Sequence, residues 1–106
     1  MRCAEVLANK IVAGVLTETD DGHYIFKYNE AYLINNEFPA ISLAFPKRDG
    51  EFISDELFPF FFNMLSEGEN KAIQSRLLKI DEKDSFGLLL ATAKHDTIGA
   101  ITLHEL

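Results

Sequence analysis

The groups on which this chain could build chemistry are three histidines, one cysteine and seventeen carboxylates. His23, His95 and His104 stand far apart, so no HExxH or other close pair puts two metal ligands on one helix face, and all three read as solvated side chains. Asp20 with Asp21, and Asp81, Glu82 and Asp84, have the composition of acid–base pairs or divalent-ion ligands. A polar turn and the acidic start of a helix account for them more simply, since negative charge is favoured at a helix N-terminus. Cys3 has only Arg2 as a basic neighbour, too little to hold a thiolate, and reads as a small half-buried strand residue. A GxSxG elbow, a GxxxxGK[ST] loop and a GxGxxG fingerprint are all missing, so hydrolase and nucleotide chemistry lack their usual handles. The expectation is a chain with no catalytic residues, no metal ligands and no cofactor.

Length and charge narrow the function classes further. A chain of 106 residues suits one domain spanning 1–106, because compact domains cluster near ~100–150 residues. Its 47% apolar and 25% charged residues are globular proportions, which sets aside disorder, collagen repeats and coiled coils. Ten basic against seventeen acidic residues leave a net charge of −7. That sign repels phosphate backbones and anionic lipid, so direct nucleic-acid and membrane binding are not expected and a basic protein patch is the expected attractant. One cysteine allows no internal disulfide, and no signal-type apolar region or membrane-length apolar run occurs. A soluble protein of the reducing cytoplasm is the expectation.

The elements that must position any binding surface read as follows. Residues 4–8 and 11–19 flank Asn9 and Lys10, where Asn tolerates the positive φ that a two-residue hairpin demands. Asp20, Asp21 and Gly22 make a second turn into a strand with Tyr24, Phe26 and Tyr28 on one face. Gly14, inside the second strand, marks a bulge or a close backbone approach. Asn29 can cap a short turn carrying Tyr32 and Leu33. Pro39 and Pro46 bracket an expected fourth strand with Ile41, Leu43 and Phe45 on one face, and Lys47 to Gly50 a turn. Asp55 is the expected cap of a helix from Leu57 to about Leu65, with Pro59 in its first turns. An amphipathic helix after Gly68 sets Ile73, Leu77 and Ile80 at helical spacing. A third, capped by Asp84, buries Phe86, Leu89, Leu90 and Ala93. Gly99 ends the turn before a final strand, Ala100 to Glu105. Strands first and helices later describe an α+β domain: a small, mainly antiparallel sheet, made of an N-terminal meander and the C-terminal strand, with about three helices.

Aromatics are concentrated in the middle of the chain. Phe supplies nine residues, seven of them between Phe38 and Phe62. Leu57, Phe61, Met64 and Leu65 form one core-facing stripe, which leaves Phe58 and Phe62 on a neighbouring face. A helix apolar on more than one side must be covered on more than one side. Either a partner covers the second face or the following helices do.

Five segments together resemble the N-terminal subdomain of HipA-type serine/threonine kinases, the toxins of bacterial toxin–antitoxin systems: "ANKIVAGVLTE", "YIFKYNEAYL", "PAISLAFP", "LFPFFFNMLSEG" and "DSFGLLLATAKHDTIGAITL". The resemblance implies a small α+β unit that packs on a kinase and holds no catalytic residue. Ser66 replaces the family's usual proline in the "LLPEG" turn. With the chain stopping at Leu106, it is similar to the stand-alone HipS subunit of HipBST systems. That likeness implies a partner, a HipT-like serine/threonine kinase bound in trans and restrained, and a HipB-like helix-turn-helix protein in the same complex. The alternative implied role is an accessory subunit needed for the kinase's folding or activity. Phe58, Phe62, Ser66 and Glu67 are the candidate partner-binding residues.

Overall fold

The computed structural model describes residues 1–65, 68–93 and 101–106. Strands β1 (Arg2–Ala8) and β2 (Ile11–Glu18) pair antiparallel through Asn9 and Lys10. Both turn residues take positive φ, 50° and 70°, the condition for a two-residue turn whose twist matches its strands. Val6 faces Gly14 while Leu7 faces Val12, so Ala13 is an extra residue in β2, a bulge. A side chain at position 14 would overlap the Lys27 carbonyl of β3 (Tyr24–Tyr28), which is why glycine stands there. The Ala13 carbonyl accepts from Asn29 N–H at 2.8 Å, and the chain turns into helix α1 (Glu30–Ile34) with Asn29 as its N-cap. Asn29 caps by its backbone position, not through its side chain.

Two expectations in the middle of the chain are corrected. Residues 40–45 are not a strand but a tight turn held by one bridge, Ser42 to Phe45, with Leu43 fully exposed and Phe45 buried. The Tyr28 hydroxyl organises this turn, donating to the Phe45 carbonyl and accepting from Ile41 N–H at 3.1 Å. The place beside β3 is taken instead by β4 (Phe52–Ser54), reached through Gly50 at φ 98°. Helix α2 is only Pro59–Phe62, capped by Phe58 in extended conformation and not by Asp55. Proline at its first position fixes the helical φ without losing a hydrogen bond, and the chain leaves the helix through turns at Met64 and Leu65.

Helix α3 (Gly68–Leu78) ends at Lys79, which takes φ 58°, while Ile80 N–H bonds the Ser75 carbonyl at 3.0 Å. Its apolar spacing does not mark a buried face: Ile80 packs on the core, but Ile73 and Leu77 are 47% and 76% exposed. Helix α4 (Ser85–Thr92) has Asp84 as N-cap, its carboxylate accepting from Gly87 N–H at 3.1 Å, and buries Phe86, Leu89, Leu90 and Ala93 as expected, with Leu88 besides. Strand β5 (Ile101–Glu105) pairs antiparallel with β1; the expected Gly99 turn and the start at Ala100 lie outside the described residues. The fold is α+β, a five-stranded antiparallel sheet in the order β4-β3-β2-β1-β5, with four described helices where about three were expected.

The core lies on one face of that sheet. Ala4, Val6, Leu16, Phe26 and Leu103 point into it and meet Phe45, Phe61, Phe86 and Leu89. Phe45 is its hub, with the rings of Phe26, Phe52, Phe58, Phe60 and Phe61 centred 4.9–6.1 Å away. The aromatic surplus is therefore largely core, each ring carrying both area burial and edge-to-face contacts.

Candidate partner-binding surface

The four residues singled out from sequence separate once the chain is folded. Phe58, in the extended backbone before α2, turns half-inward onto Phe45 and Phe61, with ring centroids at 5.0 and 6.3 Å. Phe62, at the end of α2, is 44% exposed. It stands at the rim of a cleft of about 540 Å³ that also presents Tyr24, Asp55, Glu56, Pro59 and Lys83. Ser66 and Glu67 lie outside the described residues. Of the stripe behind them, Leu57, Phe61 and Leu65 are buried and Met64 is half-buried, but only Phe61 lies within α2, so helical spacing does not place the other three.

Charge at this cleft is organised by a residue that sequence reading passed over. Arg2, at the start of β1, donates from Nε and Nη2 to Glu18 Oε1 at 2.8 and 2.6 Å, and from Nη1 and Nη2 to the two Asp84 oxygens at 3.0 and 2.8 Å. Its guanidinium lies 5.2 Å over the Phe86 ring. The Arg2 hydrogen bonds hold the Asp84 carboxyl below its ordinary range, and the same bonds raise Arg2. Glu18 also accepts from the Tyr24 hydroxyl at 3.0 Å, and burial, followed by this bond, pushes the Tyr24 phenol up. One guanidinium thus ties the first strand, the second strand and the cap of α4 together. A Cβ at Gly87 would overlap the Asp84 carboxylate, so the cap needs glycine there. The helix-start acid Asp84 was legible; its cation, 82 residues away, was not.

Beside the cleft, His23 bridges the β2–β3 turn to the end of β4, with Nδ1 3.2 Å from Asp21 and Nε2 3.1 Å from Asp55. Asp21, and then Asp55, raise the imidazole pKa from its ordinary 6.5, so this histidine is an ion-pair partner and not merely solvated. Asp21 is lowered in turn, first by Thr19 and then by His23. Cys3 is half-buried on β1, as expected, with Thr17 Oγ1 3.7 Å from its sulfur. Among the described residues no group of three or more His, Cys, Asp or Glu is placed to hold a metal ion, and no helix is long and apolar enough to cross a membrane.

The sheet's second face completes the surface. Register places Leu7 beside Val12, Val15 between Glu5 and Lys27, and Ile25 between Thr17 and Ile53. None of these side chains is buried, and Ile53 is 63% exposed. The signal was present in sequence, since β1 and β2 carry apolar residues at odd as well as even positions, whereas a half-solvated antiparallel strand alternates apolar with polar.

The fold corresponds to a known domain. The profile of the HipA N-terminal domain family matches residues 4–104. The chain belongs to that family. A solved structure described as "N-terminal domain of HipA toxin" superposes with a TM-score of 0.73 at 30% identity, covering 100% of this chain and 93% of that one. An "Uncharacterized protein" of Haemophilus influenzae is 35% identical over 92 residues, 87% of this chain and 81% of that protein. Two Sinorhizobium fredii proteins, "Putative kinase Y4dM" and "Putative kinase Y4mE", are 33% and 30% identical. The match takes in 84% and 74% of this chain, but only 23% and 19% of theirs. The matched region is thus most of the Haemophilus influenzae relative and a minor part of the two Sinorhizobium fredii ones.

Proposed function

We propose that this chain is a non-catalytic subunit of a HipA/HipBST-type toxin–antitoxin system that binds a HipT-like serine/threonine kinase in trans and restrains it. One observation carries the reading: the family match accounts for residues 4–104, while the same domain makes up 23% of a relative named as a kinase. On this reading the kinase function of such a relative belongs to the remainder of its chain, and the part shared with this chain acts by contact. The cleft that Asp55 and Glu56 line offers carboxylates to a basic partner, and the net charge of −7 favours one. A HipB-like helix-turn-helix protein would supply DNA binding to the same complex. The cytoplasm is its proposed location.

The position of the domain inside longer kinase-named chains favours a second reading, an accessory subunit that the kinase needs for folding or activity. Co-expression with a HipT-like kinase of the same genome separates the two. Restraint predicts that growth stopped by the kinase is restored when this chain is induced. Worse growth, with more soluble or more active kinase, replaces the first reading by the second. Failure of the two proteins to co-purify refutes both.

A further inference from the structure

The core lies on one side of the sheet; on the other, Val15 and Lys27 share a cleft with Glu30, Leu33 and Ile34 at the flank of α1. Leu7, Val12, Val15, Ile25 and Ile53 point to the other side, and none belongs to the core cluster or to the partly buried residues packed against it. Antiparallel sheets with one wet face alternate apolar with polar residues; β5 does so, with Thr102 and His104 on this side, whereas β1 and β2 also place Leu7, Val12 and Val15 here, and β3 and β4 add Ile25 and Ile53. Exposed aliphatic side chains gathered on one face in this way mark an interaction site.

We propose that this second sheet face is the seat on which the kinase docks, resting on the kinase-binding reading above. Two observations select that occupant. In the Y4dM relative more than three quarters of the chain lies outside the matched region, so there the domain has a large body of protein available as a second layer. A second copy of this chain is a poorer occupant, because each carries a charge of −7 and face-to-face pairing would bring like charges together. At the centre of the face Glu5 and Lys27 flank Val15 from the two neighbouring strands and offset each other. The partner surface there is therefore aliphatic, with its basic groups at the rim.

Cys3 makes the test direct, since it is the chain's one cysteine and pairs with Thr17 on this same face. The unmodified chain, alone and in complex with a HipA-family kinase of the same genome that lacks this domain, is treated with N-ethylmaleimide, and alkylation of the Cys3 peptide is followed by mass spectrometry. The expected result is at least a tenfold slower reaction in the complex. In parallel, the triple variant Val15→Thr, Ile25→Thr, Ile53→Thr, which keeps β-branched residues in the strands, is expected to bind the kinase at least tenfold more weakly. Equal Cys3 reactivity in the complex, with wild-type affinity in the variant, overturns the docking face while leaving kinase binding intact. Absence of any complex with the unmodified chain overturns both. A kinase-free dimer with Cys3 protected gives the face to a second copy and overturns the kinase as its occupant.

Discussion

Phe61 and Phe62 are adjacent, chemically identical and oppositely placed, so truncating each to alanine isolates what burial contributes. Phe61 is 0% exposed and sits among the rings of Phe26, Phe45, Phe58 and Phe60, 5.2–6.3 Å away between centroids. Removing it forfeits the transfer energy of the ring and leaves a cavity that this interlocked cluster cannot close, about 3–5 kcal/mol. A domain of this size has roughly 5–15 kcal/mol in total, and each kcal/mol moves the melting temperature by about 4–8 °C. Phe61→Ala should therefore melt roughly 15–30 °C below wild type. Phe62 is 44% exposed. It can lose only about half of the ~1.5–3 kcal/mol that a fully buried aromatic contributes, with no cavity left behind. Phe62→Ala should cost about 1 kcal/mol and shift the melt by roughly 5 °C. Thermal denaturation followed by circular dichroism reads both. Equal losses in the two variants would refute the assignment of faces and put Phe62 inside the core.

Arg2→Met keeps an unbranched aliphatic side chain but takes the guanidinium off the Phe86 ring and breaks the ion pairs to Glu18 and Asp84; these groups are partly exposed, so the expected loss is about 1–2 kcal/mol in urea denaturation at pH 7. Because Arg2 depresses the Asp84 pKa, this stability is present above the ordinary carboxylate range near 3.8 and is lost as pH falls through the lower folded value, so wild type should lose it on acidification while Arg2→Met shows a flatter acid limb. Gly14→Ala should lower stability by about 1–3 kcal/mol or more, since its methyl meets the Lys27 carbonyl; an unchanged melting temperature would mean that β2 and β3 approach less closely than described. Deleting residues 101–106 strips Ile101 and Leu103 from the core and bares the edge of β1, and the truncated chain should show no cooperative melt.

What could be read from sequence followed the range of the interactions involved. The Asn9–Lys10 hairpin, the Asp20–Gly22 turn, the Tyr24, Phe26, Tyr28 face and the Asp84 cap are set by residues within a few positions of one another, and all were legible. The errors came where a distant group decides. Ile41, Leu43 and Phe45 have a strand's alternation, yet the Tyr28 hydroxyl gathers that segment into a turn. Three residues, Phe52–Ser54, then pair with β3, a strand too short for periodicity to show. Asp55 looked like a cap because a carboxylate preceded an apolar run, but Pro59 sets the first helical residue and Asp55 faces His23 instead. For the candidate surface, the spacing correctly sent Phe61 inward and left Phe62 outside. Phe58 precedes the helix, so helical spacing could not place it, and it leans onto Phe45.

The distribution of charge bears on how a partner would arrive and how it would stay. The acidic groups Asp20, Asp21, Asp55 and Glu56 gather at one end of the strands, where His23 ties two of them together. Among the described residues of the second sheet face, the side chains of Glu5, Lys27 and His104 stand between the aliphatic positions, and Glu5 and Lys27 offset each other. Carboxylates at the rim act over about a Debye length, ~8–10 Å at physiological salt, and govern encounter with a basic surface. Aliphatic contacts act only once water has been displaced, and so govern the lifetime of the complex. On the docking proposed above, raising salt from 50 to 500 mM should slow association with the kinase by tenfold or more while changing the dissociation rate by less than about threefold, as surface plasmon resonance would read. A dissociation rate that rises with salt as steeply as association falls would mean that ion pairs at the rim, and not Val15, Ile25 and Ile53, hold the complex together.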